Sequence, residues 1–139
     1  MKEWVVDASV AAKWFLPEAH STQSAKLLSG RAALYAPDLI LPEFGSVLWK
    51  RVGRRELSHD EATGILADFL RMPLVILSSA PILPAAMELA LRTRRTVYDC
   101  LYLALALDRG CRLMTGDERF ANALAGGVYA GSVKWIGEA

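Results

Sequence analysis

Five short apolar runs alternate along this chain with stretches of helical period, and that alternation leaves few folds open. The runs lie at residues 4–6, 33–36, 74–77, 112–115 and 133–136. Helical stretches occupy residues 8–16, 21–28, 39–51, 58–71, 82–91, 97–107 and 118–124. Strands kept apart by helices pair in parallel, through right-handed crossovers that cover both faces of the sheet. The expectation is one α/β domain over residues 1–139, in three layers (α/β/α) around a parallel sheet of about five strands.

Local signals mark the boundaries. Pro17 stops the first helical stretch and Gly30 the second. Pro42 falls in the first turn of its helix, where a missing N–H is harmless. Ser58 with Glu61 three residues on is a capping box. The stretch closed by Gly110 is apolar on most faces and belongs deep in the core. No repeat or linker interrupts the pattern.

At 139 residues, 53% hydrophobic and 22% charged, the chain is no disordered polymer and affords a core without staples. A formal net charge of +1 excludes whole-surface attraction to nucleic acid or membrane, so any charge effect is local. Two cysteines, Cys100 and Cys111, are too few for a disulfide scaffold, lack the C-x-x-C spacing of zinc and thioredoxin-like sites, and read as buried thiols. The first strand leaves no room for a signal peptide, and no run reaches the ~18 apolar residues of a membrane span. A reducing cytoplasm is the expected compartment.

Four acids stand in apolar company. Asp7 ends the first strand and Asp117 the fourth. Glu43 sits in Leu41-Pro42-Glu43-Phe44, and Asp99 opens the most apolar helix. Each has a structural reading: Asp7, Asp99 and Asp117 as helix caps, and Glu43 as a carboxylate favoured by a helix dipole. Together they point elsewhere. In an open parallel sheet, the carboxyl ends of strands beside the order reversal form the ligand crevice. Carboxylates gathered there repel one another and call for a divalent cation. Oxygen ligands favour Mg²⁺ or Mn²⁺ over zinc, since His20 and His59 read as surface residues. Such a cluster suits phosphoryl transfer to water. Thr115 and Ser9 are nearby hydroxyls that orient a ligand or serve as turn residues.

These residues resemble a family. Val5-Val6-Asp7-Ala8-Ser9, Lys13-Trp14-Phe15-Leu16-Pro17-Glu18, Pro42-Glu43, Tyr98-Asp99 with Leu103-Ala104, and the segment from Thr115 to Phe120 look like a PIN domain. Within it, the chain is similar to the VapC-type toxin ribonucleases of toxin–antitoxin pairs, over residues 5 to about 123. The resemblance implies an Mg²⁺- or Mn²⁺-dependent endoribonuclease. Asp7, Glu43, Asp99 and Asp117 match the family's acidic positions as metal ligands and catalytic residues, and Thr115 matches its supporting hydroxyl. It also implies an RNA substrate, a homodimer and a cognate antitoxin. One departure is Ser46, where the family often has Asn; this bears on the support of Glu43.

Two basic clusters flank the acids: Lys50, Arg51, Arg54 and Arg55, and Arg92, Arg94 and Arg95. They guide an RNA backbone or simply complement helix C-termini. Arg94 and Arg95 are the stronger RNA contacts by their nearness to Asp99, with Lys50 and Arg51 beside them. Trp14 and Phe15 are either core residues or an anchor for the antitoxin. Trp49 and Trp135 read as packing residues.

Rival folds fit poorly. A receiver domain needs paired acids after its first strand, and a haloacid-dehalogenase-type phosphatase needs a second Asp where Ser9 stands. Two alternatives stay open: a non-catalytic RNA- or protein-binding module on this fold, and a nuclease acting on DNA.

Overall fold

The structure, a computed structural model, describes residues 2–139. Its strands are β1 (Glu3–Val6), β2 (Ala33–Pro37), β3 (Leu74–Leu77), β4 (Arg112–Thr115) and β5 (Val133–Trp135). Its helices are α1 (Ala8–Phe15), α2 (Ser21–Ser29), α3 (Ile40–Gly53), α4 (His59–Phe69), α5 (Leu83–Thr93), α6 (Val97–Arg109) and α7 (Glu118–Leu124). The expected caps are present. Ser58 and Glu61 close a reciprocal box at the start of α4, and Gly110 ends α6 in the left-handed region at φ +67.

All strands pair in parallel, in the order β3-β2-β1-β4-β5. The chain builds outward from β1 to β3, then returns to β1's free edge with β4. Val5 consequently lies opposite Tyr35 on one side and Leu113 on the other. The order reverses between β1 and β4, so their carboxyl ends open a crevice.

Neighbouring strand residues face opposite layers. Val5 and Leu113 enter the larger core beneath α3, α5 and α6, whereas Val6 and Met114 enter a smaller one with Val10, Leu34 and Ile136. Helix α6 is buried continuously from Cys100 to Ala106, as its all-round apolarity requires.

The tryptophans divide differently from the sequence reading. Trp135 packs against the smaller core and meets His20 edge-on at 5.1 Å. Trp49 is not a packing residue: it lies on the outer face of α3 and is 73% exposed. No helix among the described residues is long and apolar enough to cross a membrane.

Candidate active site

Strands β1 and β4 each end in an acid that begins a helix. Asp7 caps α1 by accepting the Val10 N–H at 3.1 Å, and Asp117 caps α7 by accepting the Phe120 N–H at 3.1 Å. The capping reading is therefore correct for both, and it coexists with a shared position at the crevice.

Hydroxyls lock the two strand ends together. Ser9 donates to Asp7 Oδ1 at 2.5 Å, and the buried Thr115 donates to Asp7 Oδ2. In turn the Gly116 N–H donates to Ser9 Oγ at 2.8 Å and the Asp117 N–H to Thr115 Oγ1 at 3.0 Å. Gly116 is required by close approach: a Cβ there would stand 2.8 Å from Ser9 Oγ.

The other two acids arrive on helices. Glu43 lies in the first turn of α3 and accepts a hydrogen bond from Tyr102 at 2.5 Å. Asp99 does not cap α6; Thr96 does, accepting the Asp99 N–H at 3.1 Å, which leaves the carboxylate free to face the cleft. Asp7, Glu43, Asp99 and Asp117 all line one cleft of about 110 Å³, together with Ser9, Thr115 and Tyr102.

The acids are under-compensated. Burial pushes the Asp7 carboxyl above its usual range; Ser9, Thr115 and Val10 pull it back in part, and Asp99 pushes it further. Glu43 is raised by burial against the pull of Tyr102, with Asp7 and Asp99 adding to the rise. Asp99 is raised by burial, with Arg95 opposing and Asp117 adding. The Tyr102 phenol is pushed far above its usual value by burial and by Glu43, so it remains a donor. An all-oxygen donor set with surplus negative charge fits a hard divalent cation. Among the described residues no three His, Cys, Asp or Glu side chains are gathered into a ready chelate, so the acids ring the cleft rather than meet at a point.

The basic residues separate. Arg95 lies within 4.0 Å of Asp99, with its guanidinium 5.8 Å from the Phe120 ring centre. Its buried Nε finds no hydrogen-bond acceptor among the described residues. Arg94 is exposed, in the left-handed cap of α5, and Lys50 is exposed on α3. Arg51 is not a free cation: it pairs with Glu18, which also holds Lys13 at 3.3 Å, and with Glu56 at 3.0 Å. It ties the end of α1 to α3.

Trp14 and Phe15 are half-buried and pack against the core. The Trp14 indole donates to the Ser24 carbonyl at 3.1 Å, and Phe15 packs edge-on against Phe44 and Phe69. Sequence reasoning missed Tyr102, hidden in an apolar run. Its signal was spacing, since a residue three past Asp99 shares its helix face. Tyr102 also answers the Ser46 departure: Glu43 takes its support from α6 instead of its own helix.

A family model described as PIN domain matches residues 4–124. Ribonuclease VapC3 of Pyrobaculum aerophilum is 38% identical over 119 residues, covering 84% of this chain and 91% of that protein. Ribonuclease VapC1 of Mycobacterium tuberculosis is 33% identical over 125 residues, covering 88% and 92%. The crystal structure of Mycobacterium tuberculosis VapC20, a sarcin–ricin-loop-cleaving toxin, has a TM-score of 0.66 at 20% identity, covering 86% of this chain and 94% of that one. The last likeness speaks for the fold; the match over residues 4–124 and the two curated relatives speak for descent, and this chain belongs to the PIN domain family.

Proposed function

We propose that this protein is a divalent-metal-dependent endoribonuclease, the toxin of a toxin–antitoxin pair, acting as a homodimer in the cytoplasm. The observation that carries it is the convergence of Asp7, Glu43, Asp99 and Asp117 on one cleft at the β1–β4 reversal. RNA as substrate rests on the relatives named ribonucleases at 38% and 33% identity. The free thiols Cys100 and Cys111 suit a reducing compartment.

The four acids would hold Mg²⁺ or Mn²⁺. Bound there, the metal supplies neutralisation of the phosphodiester charge and acidification of water. This chain's own residues supply the placement. Ser9 and Thr115 fix both oxygens of Asp7, Tyr102 fixes Glu43, and Arg95 holds Asp99 while offering a cation toward the substrate backbone. Thr115 also aligns Asp117 through its backbone N–H.

The test is cleavage of a mixed structured RNA pool, with and without Mg²⁺ or Mn²⁺, against Asp7→Asn prepared in parallel. Metal-dependent cutting of RNA, but not of a matched DNA pool, that disappears in the variant is expected. Cutting that survives in the variant removes Asp7 from the site, and a pool left intact refutes the ribonuclease reading.

A further inference from the structure

Beside the acid cleft lies a second hollow, of about 320 Å³, lined by Leu39, Pro42, Glu43, Ser46 and Tyr98. Glu43 is the wall between the two, since it lines both. Tyr98 is 62% exposed although it immediately precedes Asp99. It takes no part in either core, so packing does not account for an aromatic there. Nor does helix formation, because aromatic residues are middling helix formers.

We propose that this hollow receives one unpaired base of the RNA, from a nucleotide flanking the scissile phosphate, stacked on Tyr98. The subsite rests on the ribonuclease reading above. A base and its phosphate are neighbours in one nucleotide, and the hollow and the carboxylates are neighbours across Glu43. Leu39 and Pro42 provide an apolar floor, and the Ser46 hydroxyl is a donor and acceptor for a base edge. Charge separates this occupant from a second copy of the chain. Lys50 lies one turn of α3 beyond Ser46, the exposed Trp49 stands beside it, and exposed Arg94, in the left-handed cap of α5, precedes Tyr98 by four residues. Aromatic rings interleaved with unpaired cations make the pattern of single-stranded nucleic-acid surfaces, where rings take bases and cations track phosphates. Interfaces between protein chains share the aromatics and arginine but are depleted in lysine, so the exposed Lys50 is what favours a nucleic acid here.

The experiment begins by sequencing the ends that the wild-type enzyme makes in the RNA pool. An oligonucleotide carrying the cut site is then compared with versions abasic at each flanking nucleotide, using wild type, Tyr98→Ala and Tyr98→Phe. Stacking is worth roughly 5- to 150-fold per base by alanine substitution. Tyr98→Ala is expected to lose cleavage efficiency within that range on the intact oligonucleotide, chiefly through KM. Tyr98→Phe keeps the ring and is expected to match wild type. On one abasic oligonucleotide the wild type should fall to the level of Tyr98→Ala, and the variant should lose nothing further. Equal efficiencies of wild type and Tyr98→Ala on the intact oligonucleotide overturn the subsite while leaving the ribonuclease reading in place. So does a Tyr98→Ala protein whose sedimentation shows a lost dimer, because the face then belongs to a second copy. A pool that the wild type leaves intact overturns the ribonuclease reading and the subsite together. Tyr98 is exposed, so unchanged thermal unfolding of both variants serves as the folding control.

Discussion

Gly116→Ala isolates the contact that joins the two strand ends. The added methyl would stand 2.8 Å from Ser9 Oγ, 3.0 Å from Lys13 Cε and 3.2 Å from Ser9 Cβ. The lysine end can swing away, but the serine cannot do so freely. Its Oγ accepts the Gly116 N–H and donates to Asp7 Oδ1. Overpacking costs about 1–3 kcal/mol. Rotating Ser9 out of the way forfeits a hydrogen bond to a carboxylate, worth about 1.5–3 kcal/mol. Either route places Gly116→Ala near 1–3 kcal/mol, a fall in Tm of several degrees in a chain of this size. Ser9→Ala alone costs a similar amount by leaving the Gly116 N–H without its acceptor. In the double variant the closest clash is gone and no Ser9 bond remains to lose, so adding Gly116→Ala costs under about 1 kcal/mol. Urea unfolding of the four proteins measures this directly. The double variant should be more stable than the sum of the singles by about 1 kcal/mol or more. Additivity within about 0.5 kcal/mol would refute the reasoning, because it would mean that Gly116 and Ser9 do not constrain one another.

Three further outcomes follow from the same geometry. Asp7, Glu43 and Asp99 have folded pKa values raised by burial, so their ionisation opposes folding; the penalty is absent below the unfolded carboxylate range near pH 4 and grows as pH rises. In chelator, Asp7→Asn should therefore gain stability relative to wild type from about pH 4 to neutrality, and Mn²⁺ should shrink that gain; a gap that is flat with pH by thermal unfolding refutes it. Tyr102→Phe preserves the buried volume but removes the donor to Glu43, and should lower kcat about tenfold with the fold intact, read by single-turnover cleavage. Arg51→Ala should cost about 1 kcal/mol of stability and leave RNA affinity unchanged, whereas Arg94→Ala should leave stability unchanged and reduce the salt slope of RNA binding by about one.

The layer order and the crevice were legible because they follow from local patterns. Strand runs separated by helical periods imply parallel pairing, and Asp7 and Asp117 fall at strand ends by sequence position alone. Asp99 could be placed on its helix but not freed from capping duty, because Thr96 and Asp99 compete for that role until the backbone decides. Trp49, expected to pack, is exposed, and Trp14, left open between core and anchor, is half-buried against both cores. Their composition is identical, and only the packing of α1 onto α2 and the outward face of α3 separates them. Arg51 was illegible for a related reason: its partners Glu18 and Glu56 lie on other segments, and ion pairs between segments leave no periodic trace. Tyr102 was the residue within reach, one helical turn from an acid already singled out.

The link from Thr115 to Asp7 spans 108 positions of sequence. A growing chain on the ribosome therefore exposes Asp7 early, together with the serine that binds it, yet lacks the hydroxyl, the backbone amides and the fourth acid that complete the cleft until β4 has been made. At about 5–20 residues per second, that interval lasts several seconds at the least. Throughout it the nascent protein has no crevice, since β1 has no partner on the side where the sheet reverses. For an enzyme proposed to cut RNA, the cleft exists only once Thr115 and Asp117 have been added to Asp7 and Glu43.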